Sequence, residues 1–172
     1  MSSSLHYFVE GECEKAFIRS YMFVNGKHFK AVKIEVFNFI NERLSKAKAR
    51  TINKDMYVAI VFDTDVENID ILEDNIKLLK TVSMLDDNHI ILIPSIKNFE
   101  DELVYSCSKI KSIHGLFKSK SVAEFKKKFI AHSDIVAKLN DVDFNFDLIW
   151  TRNAKHPFDK YKNESNKVKL HQ

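Results

Sequence analysis

Apolar runs alternate along this chain with stretches whose apolar residues recur every three or four positions. Residues 5–9 (LHYFV) read as a short first strand that stops at Glu10-Gly11. Cys13, Phe17, Ser20 or Tyr21, and Val24 then fall on one helical face, predicting a helix over about 12–24. Its first turn holds Glu12 and Glu14, where acids suit the helix dipole, and Asn25-Gly26-Lys27 ends it. Residues 31–39 (AVKIEVFNF) predict a second strand. The polar run 41–54 predicts a helix or ordered loop, broken at Thr51-Ile52-Asn53.

The stretch 56–65 (MYVAIVFDTD) organises the rest. Its apolar residues continue almost without interruption, as in a strand covered on both faces, and carboxylates emerge where it stops. Ile69, Leu72, Ile76 and Leu79 predict a helix over about 69–82, and Asp86-Asp87-Asn88 a turn. Residues 89–93 (HIILI) predict another buried strand, stopped by Pro94-Ser95. Phe99, Leu103, Cys107 and Ile110 mark a helix, Val122, Phe125 and Phe129 a further one, and 134–139 a short one. Residues 141–150 read as an edge strand or extended segment, and the Lys- and Asn-containing tail from Lys155 as loosely held.

Strands alternating with helices give an α/β class with a mostly parallel four-stranded sheet. In such sheets ligands gather at the carboxyl ends of the strands. Glu10 and the pair Asp63/Asp65 all lie at such ends. If the strand stays extended, Asp63 and Asp65 point the same way and repel each other. A divalent cation relieves that repulsion, and Mg2+ is typically held by one or two carboxylates plus waters. Taken alone, Asp-x-Asp also fits a solvated strand end whose Asp caps the next helix.

Length and composition bound the picture. The chain has 172 residues, 45% of them hydrophobic, with 14 Phe to fill a core, enough for one well-buried domain. No apolar run reaches the length of a membrane span, and the first residues lack the basic and apolar segments of a signal peptide, so a cytoplasmic protein is expected. Cys13 and Cys107 stand apart from any C-x-x-C spacing and read as reduced, partly buried thiols. The net charge of +3 says little, but its distribution says more. Lysines 109, 111, 118, 120, 126, 127 and 128 face a single acid, Glu124, between 109 and 132, and Arg43, Lys46, Lys48, Arg50 and Lys54 precede the central strand. Basic flanks beside an acidic centre suit a polyanion held by lysines while a metal works on one phosphate, although lysine-rich helices are also common solvated faces.

A strand ending in Val9-Glu10-Gly11 with Glu14 and Phe17 in the following helix, then an apolar strand ending in Asp63-x-Asp65, resembles the Toprim domain. That module is shared by topoisomerases, bacterial primases, OLD-type nucleases and ribosomal RNA maturases. Residues 94–103 (PSIKNFEDEL) are similar, more loosely, to the segment after the fourth strand of RloB-like Toprim proteins. The resemblance covers roughly residues 5–110. It implies a Toprim-like core over 1–110 and a basic helical extension over 111–172 packed on the same domain.

The resemblance further implies Glu10 as general acid or base or as a metal ligand, Gly11 as the close turn, and Asp63 and Asp65 as Mg2+ (or Mn2+) ligands. Glu14 with Glu100 or Glu102 would complete a second metal site. Phosphodiester cleavage by metal-activated water follows, on RNA or DNA, in an anti-phage defence setting with a homodimer or a sensor partner. Lys118, Lys120, Lys126, Lys127, Lys128, Arg152 and Lys155 are the candidate phosphate contacts. The run 150–157 (WTRNAKHP) is a candidate for returning to the active edge. Tyr7, Tyr21, Tyr57 and Tyr105 read as packing residues, His89 as structural, and no His/Cys cluster suggests zinc. Two alternatives stand beside the nuclease. One is a degenerate Toprim-like module that binds nucleic acid or a partner without cleaving. The other is a haloacid-dehalogenase-type phosphatase, which the string Asp63-Thr64-Asp65-Val66 matches, although that motif normally sits on a first strand.

Overall fold

The computed structural model describes residues 4–25, 29 and 31–168. Strands β1 (Ser4–Val9), β2 (Ala31–Val36), β3 (Tyr57–Asp63) and β4 (Ile90–Ser95) form one sheet in the order β2-β1-β3-β4, with every neighbouring pair parallel. Parallel neighbours need crossovers. Helix α1 (Glu12–Asn25) joins β1 to β2, α2 (Lys46–Arg50) lies between β2 and β3, and α3 (Asp70–Val82) joins β3 to β4. The turn expected at Gly26-Lys27 lies outside the described residues.

The period-two alternation of the strands decides which core each residue enters. Leu5, Tyr7 and Val9 of β1, Ala59 and Val61 of β3, and Ile91 and Ile93 of β4 share a core with Cys13, Phe17 and Ile18 of α1. Phe8, Val58, Ile60, Phe62 and Ile90 face the opposite way, into a core with Ala49 of α2 and Leu72 and Leu79 of α3. The chain steps one way from β1 to β2 and the other way from β2 to β4. Right-handed crossovers in opposite directions place their helices on opposite faces, as here. The result is a Rossmannoid α/β fold, and no helix among the described residues is long and apolar enough to cross a membrane.

Several sequence expectations are corrected. The last strand is not stopped at Ile93 but runs through Pro94 to Ser95. The N–H of Val58 bonds to the carbonyl of His89, and that of Thr64 to the carbonyl of Ser95, so odd-numbered β4 residues face β3. Pro94 therefore turns its missing N–H to the outer edge, where the sheet does not need it. Helix α4 ends at Tyr105 (Phe99–Tyr105), and α5 (His114–Phe117), α6 (Val122–Ala131) and α7 (Ile135–Asn140) follow. Phe125 and Phe129 of α6 and Ile135 and Leu139 of α7 enter the core beside α1.

Residues 141–150 form turns, not a strand, apart from a single antiparallel bridge between Cys107 and Phe144. Their aromatics are drawn onto Phe17, whose ring lies 6.0 Å from Phe144 and 5.6 Å from Trp150. The segment beyond Lys155 is also better held than its composition suggests. Phe158 is buried against Phe62, and the N–H of Glu164 donates to the carbonyl of Leu92 at 2.9 Å. The Glu164 carboxylate accepts the Leu92 N–H at 3.2 Å, and Ser165 Oγ donates to the Trp150 carbonyl at 2.7 Å.

One buried amide fixes the irregular stretch after β2. Asn75 of α3 accepts from the Leu44 N–H at 2.7 Å and donates to the carbonyls of Phe39 and Glu42 at 3.0 and 2.7 Å. Asn75→Ala leaves all three backbone groups without this partner. It is expected to lower the unfolding free energy by roughly 3 kcal/mol in urea titrations, whereas a surface change such as Lys77→Ala should stay within about 0.5 kcal/mol.

Candidate carboxylate site at the sheet edge

From β1 the chain leaves toward β2, and β3 lies on the other side, so the β1/β3 junction is the point where the strand order reverses. Crevices at the carboxyl ends of such junctions are where α/β folds bind ligands. Glu10 immediately follows β1 and Asp63 closes β3. The Asp63 N–H donates to Glu10 Oε2 at 3.2 Å. Asp63 Oδ1 is buried with no hydrogen-bond partner. Asp65 lies beyond it on the exposed side. Between them Thr64 pins the turn to the end of β4: its Oγ1 donates to the Ser95 carbonyl at 2.9 Å and accepts the Lys97 N–H at 3.0 Å.

Two helix starts complete the group. The first turn of α1 supplies Glu14, which is buried. A Cβ on Gly11 would stand 3.1 Å from Glu14 Oε2, so any side chain there would displace that carboxylate. The first turn of α4, capped by the Asn98 side chain on the Asp101 N–H, supplies Glu100. Glu100 pairs with Lys126 of α6 at 3.0 Å.

Burial and mutual repulsion perturb these acids. Loss of solvent, followed by the charges of Glu10, Glu14, Asp65 and Glu100, pushes the Asp63 carboxyl up to about 9. Burial pushes Glu14 up to about 7, with Glu100 and Glu10 adding to the shift and Lys126 opposing it. Burial also raises Glu10, against the Asp63 N–H, the Asn38 side chain and Lys126. Asn38 was not among the sequence candidates. It lies just beyond the carboxyl end of β2, so the strand-end logic that singled out Glu10 and Asp63 applies to it equally.

Hard oxygen donors, an orphaned carboxylate oxygen and like charges held together match the chemistry of Mg2+ or Mn2+. Among the described residues, however, no three Asp, Glu, His or Cys side chains already stand where they could hold a metal ion. The acids are gathered at one edge without closing around a point.

Other candidates are placed elsewhere. Glu102 is fully buried and accepts from Ile96 N at 2.8 Å, Trp150 N at 3.1 Å, and Arg152 Nε and Nη2 at 3.2 and 2.9 Å. With its oxygens so occupied it is a structural anchor and leaves the metal set. Arg152 does return to the β4–α4 corner, but it is spent on Glu102, the Ile96 carbonyl and the face of Tyr105 rather than on phosphate. Tyr105 itself is exposed, not core. Lys128 pairs with Glu124 at 2.7 Å, while Lys118, Lys120, Lys127 and Lys155 are exposed. Cys13 and Cys107 are buried free thiols.

The Asp63 shift fixes a pH dependence. The folded protein keeps this proton up to about pH 9, whereas the unfolded chain releases it near the ordinary value of 3.8. Within that window the folded state binds more protons, so its stability falls as pH rises. Asp63→Asn should flatten the fall and raise the Tm of metal-free protein at alkaline pH by roughly 5 °C. Circular-dichroism melts across the window check this, and a variant profile parallel to that of the wild type would place the proton on another group.

Set against known protein families, curated proteins and solved structures, the chain gives no match. What is established is the fold: a Rossmannoid sheet of four parallel strands flanked by helices, with acids collected at its carboxyl edge.

Proposed function

We propose that this chain is a metal-dependent phosphodiesterase of Toprim type, acting on nucleic acid with Mg2+ or Mn2+. The observation that carries the reading is the buried, partnerless Asp63 Oδ1 beside Glu10, at the junction where the strand order reverses. In this reading Glu10, Asp63 and Asp65 hold the cation, and Glu14 and Glu100 provide further oxygens. A bound cation would neutralise charge on a phosphoryl oxygen and activate water for attack.

The residues themselves set the conditions for that step. Asp63 must give up its proton before it can ligate, so cation binding releases protons and strengthens as pH rises. Glu10 is raised by burial and its Oε2 accepts the Asp63 N–H, which fixes its carboxyl at the strand end as a group able to hold or pass a proton. Lys118, Lys120, Lys127 and Lys155 of the extension are solvent-facing cations suited to a phosphate backbone. In this reading the acid-bearing core ends near residue 110, and the basic extension packs on the same domain.

A second reading, a module that binds nucleic acid or a partner without cleaving, is favoured by the lack of a closed metal arrangement among the described residues. The two separate on one experiment. Wild type and a Glu10→Gln, Asp63→Asn double variant are incubated with tRNA, single-stranded RNA and duplex DNA, with Mg2+, Mn2+ or EDTA. Hydrolysis by wild type should require the cation and fall roughly 10²- to 10⁴-fold in the variant. Binding to all substrates with cleavage of none would sink the hydrolytic reading. Turnover of small phosphomonoesters that survives Glu10→Gln would point instead to a phosphatase.

A further inference from the structure

The seven lysines between 109 and 128 are not equivalent. Lys109 is paired locally with Asp143 at 3.0 Å, and Lys128 with Glu124 at 2.7 Å. Lys126 alone among the described pairings of this group reaches the acidic edge, with Nζ 3.0 Å from Glu100 Oε1. Its position is imposed by packing. The adjacent Phe125 and the nearby Phe129 are completely buried, and Phe129 meets Phe99, the first residue of α4, with ring centroids 6.0 Å apart. The two helices that carry Lys126 and Glu100 are thus locked by neighbouring aromatic residues. The Glu100 side chain is 15% exposed and that of Lys126 51%, so the lysine stem reaches inward from solvent over a mostly covered carboxylate. Its charge is felt at Glu10, Glu14 and Cys13 as well.

We propose that Lys126 is a built-in counter-ion for the carboxylate site, and that it competes with a divalent cation for Glu100. The inference rests on the metal reading above. In the metal-free protein Glu100 is thereby engaged toward α6 and not toward the other acids. One ammonium engages only Glu100, and a doubly charged ion at the same edge interacts more strongly with the acids there. When that ion takes Glu100, the ammonium is released on a flexible four-carbon stem at the rim of the site. Released there, it faces solvent as a ligand for the phosphate of an incoming nucleic acid. Cation entry therefore precedes and favours anion capture.

The test is Mn2+ binding by calorimetry at low salt, on the full chain, for wild type, Lys126→Met, Lys126→Arg, Lys109→Met and Asp63→Asn. Removing the charge in Lys126→Met should tighten Mn2+ roughly tenfold. Lys126→Arg should stay near wild type, and so should Lys109→Met, a control for net charge. A second readout is affinity for a single-stranded oligonucleotide with and without Ca2+: the gain on adding Ca2+ should be smaller in Lys126→Met than in wild type. Mn2+ affinity in Lys126→Met equal to or weaker than wild type, while Asp63→Asn abolishes binding, would overturn the competition and leave the metal site standing. An undiminished Ca2+ gain would overturn the hand-over to phosphate. No Mn2+ binding by folded wild type or folded Lys126→Met would overturn the metal reading and this proposal together.

Discussion

The buried ion pair between Glu102 and Arg152 is the constraint from which the site end of the molecule takes its shape. A carboxylate with no exposed surface is tolerable only when its oxygens are fully used, and here four N–H donors converge on it. Those donors come from the end of β4 and from the segment beyond α7, so one side chain joins two parts of the chain some fifty residues apart. Removing either member of such a pair typically costs about 3–5 kcal/mol, because the other charge is left buried. The pair also holds Trp150 at a φ of 55°, a conformation that a bulky residue seldom adopts unaided. Glu100 lies two residues earlier on the same helix, and its place at the sheet edge follows from this anchorage.

Proton and lysine are two answers to one electrostatic problem, and the proposed metal would be a third. The strand order brings β1 and β3 together, and the end of each carries an acid. The helices covering the core beside them add two more. The burial that stabilises this core is the same burial that makes the charges at its edge hard to sustain. In the absence of a cation, Asp63 keeps its proton and Glu100 takes Lys126. A ligand for this site has to replace both.

Much of the fold was legible because strand periodicity and apolar runs report burial directly. The runs ending at Val9, Asp63 and Ile93 marked β1, β3 and β4, and helical spacing marked α1, α3 and α6. What the pattern could not show was how side chains are shared out in space. Glu100 and Glu102 look alike as first-turn acids, yet two residues on a helix are about 200° apart, so one turns to the edge and the other into the core. Cys107 and Ile110 kept a helical spacing after Tyr105, but the Ser106 carbonyl is used by the Asn145 N–H and the helix ends there. Arg152 was recognisable as part of an unusual run, while its partner, decided by tertiary packing, was not. Lysine and asparagine in the tail masked the few positions, Phe158, Glu164 and Ser165, that bind it to the sheet.

The way Glu164 engages β4 bears on self-association. Leu92 and Pro94 turn their backbone groups outward, and an open row of such groups would accept a strand from another molecule. Proline offers no N–H, and Leu92 has both of its groups occupied by Glu164. At Leu92 and Pro94 that side of the sheet is closed to strand addition. At the opposite side, β2 carries Lys33 and Glu35, and Glu35 pairs with both Lys33 and Lys48. A second copy joining edge to edge would have to approach there, against charges already paired with one another. Among the described residues, sheet extension is thus discouraged at both edges, by occupied backbone groups at β4 and by paired charges at β2.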